Sequence, residues 1–166
     1  MWWCDRRRAA AALAAAALAA GCGFRPVHGG GGLAGAAGGV RVAQPPGRIG
    51  YFFAEALRAR LGPPGPSART LDADLSLDRR ETVITVADDV TRYDVVGTAR
   101  YRLRAEDGDL AAEGAVSAVT GYNTLAAPYA TRRAAEDAER RVAEALASRV
   151  FLELAAALAA DGEPAG

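Results

Sequence analysis

The sequence has little of the chemistry that most catalytic and metal sites require. Its 166 residues include one histidine, two cysteines and no lysine. The histidine, His28, lies in a glycine-rich stretch, where a solvated side chain is expected. A zinc site takes several histidine or cysteine ligands, and a Ser-His-Asp triad needs a histidine in the folded part of the chain. Both kinds of site are therefore excluded.

The chain also lacks an excess of charge of either sign. Its 20 arginines balance 20 acidic residues, and the formal net charge is +0 at pH 7. Nucleic-acid-binding domains are usually basic or carry a basic patch, so no nucleic-acid partner is expected. Because lysine is absent, every basic side chain other than His28 is an arginine guanidinium, which binds phosphate and carboxylate groups in a bidentate manner.

The apolar run near the N-terminus is too short to span a membrane. Residues 9–20 form 12 consecutive alanines and leucines, whereas a transmembrane helix takes roughly 20 apolar residues. Arg6, Arg7 and Arg8 precede the run, and small residues follow it. A basic segment, a short apolar segment and a small-residue cleavage site are typical of a secretory signal. We therefore predict a signal peptide over residues 1–21.

Cys22, at the end of this signal, indicates a bacterial lipoprotein. The stretch resembles a lipobox, whose cysteine receives a diacylglyceryl group and becomes the first residue after cleavage. The family pattern favours leucine three residues before the cysteine, where this chain has Ala19. Several acyl chains on one residue anchor a protein stably, at about 0.8 kcal/mol per buried methylene. We predict lipidation at Cys22 and a membrane attachment there; the alternative is a soluble secreted protein with an incidental cysteine.

Composition divides the rest of the chain into three parts. Glycine and alanine dominate residues 22–39, which predicts a flexible tether because such residues bury little apolar surface. Residues 40–160 carry the periodic apolar patterns of one folded domain. Residues 161–166 are predicted to be a disordered tail.

The domain begins with a short strand and a helix. The segment from Val40 alternates as a strand until two prolines stop it. Apolar residues then recur at a spacing of four and end before Gly62, as expected for an amphipathic helix; they are Ile49, Phe53, Leu57 and Leu61.

Three strands and a second helix follow. Alternating apolar and polar residues begin near Thr70, Arg92 and Asp109, and each pattern predicts a strand with one buried face. A long helix is predicted to start near Pro128, a residue tolerated in a first turn, because apolar residues recur at a spacing of four; they are Val142, Leu146, Val150, Leu154 and Leu158. The predicted fold class is α+β: one domain with two helices packed on one face of a four-stranded, mostly antiparallel sheet, in the order β-α-β-β-β-α.

The register of the central hairpin follows from the assumed position of its turn. A turn centred near Asp89 places Asp78 opposite Arg100 and Asp74 opposite Arg104 in an antiparallel pair. Opposite charges across strands contribute about 0.2 to 1 kcal/mol each and favour this register. We therefore interpret the acids of the first strand as a solvated, arginine-paired sheet face.

The same register places two apolar residues, Ile84 and Val86, on the otherwise charged face. One explanation is a bulge around Arg79 and Arg80 that returns them to the core. The other is a hairpin tip with an apolar face that contacts a hydrophobic partner. The sequence leaves both open.

Four segments occur in an order and spacing that resemble one protein family. They are GCGFRPVHG, TRYDVVGTARYRL, GYNTLAAPYA and EDAERRVAEALASRVFLEL. Together they are similar to LptE, the lipopolysaccharide-assembly lipoproteins of Gram-negative outer membranes, in the form found in alphaproteobacteria.

The resemblance implies a non-enzymatic role without cofactor or metal. The lipoprotein would face the periplasm, sit inside the lumen of the outer-membrane barrel LptD, help that barrel assemble, and assist lipopolysaccharide transport. Arginines of the open sheet face and hairpin tip, together with the apolar tip residues, would contact lipopolysaccharide or the barrel; they are Arg92, Arg100, Arg102, Arg104, Ile84 and Val86.

Two alternatives from other classes remain. A lipid-anchored scaffold subunit of another envelope transport complex would show the same signal and the same type of domain. A glycosidase that uses only carboxylates would need two acids converging in a cleft, whereas the acids here alternate along solvated strands.

Overall fold

A computed structural model describes residues 39–65, 68–84, 90–124 and 126–161. The elements run in the predicted order: β1 (Val40–Val42), α1 (Gly47–Leu61), β2 (Arg69–Ile84), β3 (Val90–Arg104), β4 (Leu110–Asn123) and α2 (Pro128–Asp161). The predicted lipidation site Cys22, the signal peptide and Val86 lie outside the described residues, as does the predicted tail beyond Asp161. Of Ile84, only the backbone is described.

The strands form one four-stranded sheet in the order β1-β2-β3-β4. β1 pairs in parallel with the start of β2, and the other two pairings are antiparallel. β1 is only three residues long, because Pro45 and Pro46 follow it and proline lacks the N–H that a strand donates. This architecture confirms the predicted α+β fold.

Both helices pack on the same face of the sheet and form one core with it. The predicted stripe of α1 is buried at Phe53, Leu57 and Leu61. The core-facing stripe of α2 contributes Val142, Leu146, Val150, Leu154 and Leu158. Fully burying one such side chain contributes roughly 1.5 to 3 kcal/mol. The opposite face of the sheet has no helix over it among the described elements.

The predicted register of the β2–β3 hairpin is wrong. Asp74 lies opposite Arg100 rather than Arg104, and Asp78 lies opposite Val96. The displacement is an even number of residues, so every side chain stays on its predicted face. Alternation fixes the face of a side chain but not its partner. The sequence pattern therefore could not exclude the neighbouring register.

A bulge around Arg79 and Arg80, one of the two explanations that the sequence leaves open, does not occur. Pairing is regular through Arg79 and Arg80, and the irregularities lie between Glu81 and Ile84. Arg79 consequently remains on the helix-covered face, in line with the apolar residues that precede it in β2.

Candidate functional site

The candidate site is the sheet face that no described helix covers, which we call the open face. It carries the even-numbered residues of β2 and β3 and the odd-numbered residues of β4, because side chains alternate along a strand and partners share a face. Arg100, Arg102 and Arg104 are all exposed there, as the sequence predicts.

The three arginines have different electrostatic surroundings. Arg102 lies opposite Asp72 on β2 and Glu113 on β4, and its Nη2 is 3.5 Å from Oδ2 of Asp74. Arg100 has one acidic residue opposite, Asp74 on β2, and Ala115 on its other side. Arg102 is therefore the most nearly neutralised of the three.

Arg104 lies at the end of β3, next to the turn that joins it to β4. Its partners across the strands are Thr70 and Leu110, neither of which is charged. Its Nη1 donates to the carbonyl oxygen of Gly108 at 3.3 Å. Arg104 and Arg100 are thus the guanidiniums of this group that are better placed to bind an external anion.

A shallow groove runs across this part of the open face. It has a volume of about 620 Å³, and its polar lining includes Asp74, Arg100, Arg102 and Glu113. Cations and carboxylates alternate along it, so a ligand with phosphates and hydroxyl groups would find both donors and acceptors.

Arg92 does not join this group. It lies eight residues before Arg100 on β3, which corresponds to about 27 Å at the rise of a strand. Its Nε is 3.4 Å from Oδ1 of Asp94, and its guanidinium lies over Gly121, where a Cβ atom would approach Nη2 to 2.5 Å. The predicted contact residues therefore form two separate sites along the open face.

Between Arg92 and Arg100 the open face mixes charged, hydroxyl and apolar side chains. Arg80 lies opposite Asp94, and Asp78 lies opposite Val96. Val96 is half-buried and lies opposite Val119, which is 63% exposed. Ser76, Thr98 and Ser117 form the neighbouring row across three strands. The Ile84 side chain and Val86, predicted to extend this apolar part, lie outside the described residues.

A second charged cluster, which the sequence interpretation missed, joins the sheet to both helices on the other face. Arg48 of α1 donates to Oε2 of Glu139 at 2.7 Å, and Arg79 of β2 lies 3.8 Å from the other oxygen of that carboxylate. The hydrogen bond to Glu139 raises the pKa of the Arg48 guanidinium. Continuing the β2 alternation as far as Arg79 would have placed this arginine on the helix side.

Two stacked tyrosines complete that cluster. The rings of Tyr93 and Tyr122 lie 5.4 Å apart and nearly parallel, and the guanidinium of Arg79 lies 5.7 Å from the centre of the Tyr122 ring. Burial raises the pKa of the Tyr122 hydroxyl, and the positive charge of Arg79 opposes this shift. The cluster joins the long hairpin to both helices.

Two features, a metal-holding cluster and a membrane-crossing helix, are absent from the described residues. In that part of the chain, no group of three or more histidine, cysteine or acidic side chains is placed to hold a metal ion. Neither α1 nor α2 combines the length and the apolar character that a membrane-crossing helix needs.

Comparison with solved structures finds the same fold in bacterial lipoproteins. A Caulobacter crescentus protein described as a lipoprotein is 24% identical, with a TM-score of 0.64, and the match covers 80% of this chain and 98% of that one. Rare lipoprotein B from Shewanella oneidensis is 14% identical, with a TM-score of 0.58 and coverages of 75% and 98%. A minor lipoprotein from Acinetobacter baumannii is also 14% identical, with a TM-score of 0.54 and coverages of 70% and 88%.

Comparison with curated protein sequences gives no significant match. The family model described as LptE, lipopolysaccharide-assembly, matches residues 38–154. That match includes every strand and α1, and most of α2. The chain therefore belongs to the lipopolysaccharide-assembly LptE family.

Proposed function

We propose that this protein is an outer-membrane lipoprotein that sits inside the LptD barrel, helps the barrel assemble and assists lipopolysaccharide transport to the cell surface. Its role is non-enzymatic, and the acyl chains on Cys22 hold it at the membrane. The observation that carries the proposal is the open face: in a domain of the LptE family, one sheet face carries exposed charged and hydroxyl side chains, with a small apolar part at Val96 and Val119, and no described helix covers it.

A barrel interior suits such a face. The lumen of an outer-membrane barrel is polar, whereas its apolar band faces the lipid. The open face presents mixed charges and hydroxyl groups, which can exchange hydrogen bonds with water for hydrogen bonds with lumen side chains. Both signs of charge occur on it, so a lumen of mixed charge is the complementary partner.

Lipopolysaccharide would bind at the groove end of the open face. Its phosphates and acidic sugars are acceptors for guanidinium groups, and such charge-assisted hydrogen bonds are among the stronger ones. Arg100 and Arg104 are the proposed contacts because their neighbours across the strands neutralise them least. Arg102 would orient Asp74 and contribute less.

The test of the barrel partner is affinity purification of the tagged full-length protein from its own membranes, followed by mass spectrometry. Stoichiometric recovery of LptD is the expected result. Recovery of an inner-membrane transporter without LptD would contradict the proposal and favour the scaffold of another envelope complex.

The test of the glycolipid site uses a charge-reversed double variant, Arg100→Glu with Arg104→Glu. We expect lipopolysaccharide binding to fall by at least about tenfold, which corresponds to roughly 1.4 kcal/mol. Arg132→Glu with Arg140→Glu, two exposed positions of α2, is the control matched in net charge and should bind as the wild type does. Equal losses in both variants would show that net charge, and not this site, controls binding.

A further inference from the structure

The two outer edges of the sheet differ in how their backbone groups are satisfied. At the β4 edge, Arg141 of α2 donates to the carbonyl oxygen of Gly121 at 3.2 Å, and Arg149 donates to that of Ser117. The helix thus occupies acceptors that an incoming strand would need. Covering an exposed edge in this way is how proteins prevent unwanted strand pairing.

The β2 edge has no such cover over most of its length. β1 pairs with Arg69, Thr70 and Leu71 only, and the last hydrogen bond runs from the Ala43 N–H to the Leu71 carbonyl at 2.9 Å. Backbone groups of successive residues point alternately to the two sides of a strand. Ala73, Leu75 and Leu77 therefore direct their N–H and C=O groups away from β3, and none of the described residues pairs with them.

The side chains along this edge specify what an added strand would carry. On the helix side, Ala73 and Leu75 are half-buried and Leu77 is 38% exposed. On the open face, the side chain of Asp74 is 82% exposed and lies 3.5 Å from Nη2 of Arg102. That of Asp78 is 62% exposed and lies 2.8 Å from Nε of Arg80, so each exposed carboxylate already has one arginine partner. A strand beside β2 would gain most by placing apolar side chains next to the leucines and basic ones next to the aspartates.

We propose that the β2 edge from Asp72 to Arg79 accepts an extended segment of another polypeptide whose side chains alternate between basic and apolar residues. The segment adds a fifth strand to the sheet, with backbone hydrogen bonds giving affinity and the alternating side chains giving selectivity. The inference goes beyond the proposed function, because it holds for any complex in which this domain takes part.

The test uses a capped decapeptide of alternating arginine and valine with the full-length protein in detergent micelles. Hydrogen exchange is followed at the amides of Ala73, Leu75 and Leu77. We expect the peptide to slow exchange at these three amides by at least about tenfold. A peptide of the same composition with its arginines and valines in two blocks is the sequence control and should give little protection.

Two N-methylated peptides separate strand addition from simple charge attraction. One is methylated on every valine nitrogen and the other on every arginine nitrogen. In a strand, only one of these sets faces the β2 edge, so one peptide should bind at least about tenfold more weakly than the other. Equal binding of the two peptides would overturn the proposal.

Two proline variants test whether the peptide binds at the β2 edge. Ala73→Pro removes an N–H that points away from β3 and leaves the β2–β3 hydrogen bonds intact; proline is tolerated at such edge positions. It should abolish protection by the peptide. Ala115→Pro makes the corresponding change at the β4 edge and should leave peptide binding as it is in the wild type.

Two other occupants of the edge would also overturn the proposal. If the three amides are already protected without peptide and lose protection when residues 23–38 are deleted, the chain covers its own edge. If their protection instead rises with protein concentration and sedimentation shows a dimer, the occupant is a second copy of this chain.

Discussion

Gly97 of β3 lies close against α2. A Cβ atom at this position would lie 2.2 Å from Cγ1 of Val142 and 3.0 Å from Cδ1 of Leu146. Both of these α2 residues are fully buried, so neither can move into solvent. The absence of a side chain on β3 is therefore what allows the helix to pack at this distance.

Gly97→Ala is expected to destabilise the protein by about 1 to 3 kcal/mol, the usual range for overpacking a dense core. The measurement is the free energy of unfolding from urea denaturation. Val142→Ala removes the Cγ1 atom that would clash with the new Cβ. The double variant should therefore be less destabilised than the sum of the two single variants. Additive costs would show that the helix does not approach the sheet here.

Tyr101 carries a polar group into the core and satisfies it there. The ring is 5% exposed, and its hydroxyl donates to Oε2 of Glu153 at 2.7 Å. Gly114 leaves the space for this hydroxyl, because a Cβ there would lie 2.7 Å from it. Burial, with the hydrogen bond to Glu153, raises the pKa of the Tyr101 hydroxyl.

Tyr101→Phe should cost about 1 kcal/mol at neutral pH through the lost hydrogen bond. The raised pKa adds a pH dependence. Above pH ~10 an unfolded tyrosine loses its proton while folded Tyr101 keeps it, so this contribution is present below that pH and is lost as the pH rises. Between pH 9 and 11, the free energy of unfolding of Tyr101→Phe, measured by urea denaturation, should fall less steeply than that of the wild type. The exposed Tyr129→Phe control should match the wild type.

At the scale of elements, the helix pair is joined by charges as well as by the core. Glu136 of α2 accepts from Nη1 of Arg133, one turn before it, at 3.0 Å. It also lies 3.5 Å from Nη1 of Arg48 on α1. These arginines lower the pKa of the Glu136 carboxyl, and the hydrogen bond from Arg133 is the largest cause.

Arg133→Ala should therefore move the Glu136 pKa back toward its ordinary value of about 4.3 by more than Arg48→Ala does. The carboxyl resonance of Glu136, followed by NMR during an acid titration, measures this directly. Because the folded pKa is lowered, the stabilising effect is present above pH ~4.3 and disappears as the pH falls through the folded pKa. A larger shift in Arg48→Ala would show that the contact between the helices dominates.

The elements themselves were predictable because each has a distinct apolar period. Spacings of four predicted α1 and α2, and alternation predicted the three long strands. The start of α2 near Pro128 followed from the tolerance of proline in the first turn of a helix. The strand register was not predictable, because the sequence between the two strands gives no signal for the centre of a turn and even displacements keep the faces unchanged. The alternation of β4 also breaks at Leu110, which is 50% exposed beside the shift between Leu103 and Arg104.

At the scale of the whole molecule, the candidate site was predictable in part. Alternation placed Arg100, Arg102 and Arg104 on one exposed face. The length of the predicted strand also separates Arg92 from them, at eight residues before Arg100. Alternation could not show that acidic neighbours neutralise Arg102 most, because that depends on register and on the third strand.

The proposed membrane anchor depends on one residue, Cys22. Cys22→Ala removes the thiol that would receive the lipid, so the full-length protein should move from the outer-membrane fraction to a soluble or inner-membrane fraction. Cys4→Ala is the matched control, because Cys4 lies inside the predicted signal peptide and should have no effect. Unchanged fractionation of Cys22→Ala would rule out the anchor at this residue.

Site-specific photo-crosslinking in living cells tests whether the open face contacts LptD. A photoreactive amino acid replaces Arg100 or Val119 on the open face, or Arg140 or Leu152 on the exposed side of α2. The account predicts adducts with LptD from the open-face positions, in higher yield than from the helix positions. Crosslinks to LptD from α2 alone, or no adduct with LptD from any of the four positions, would contradict it.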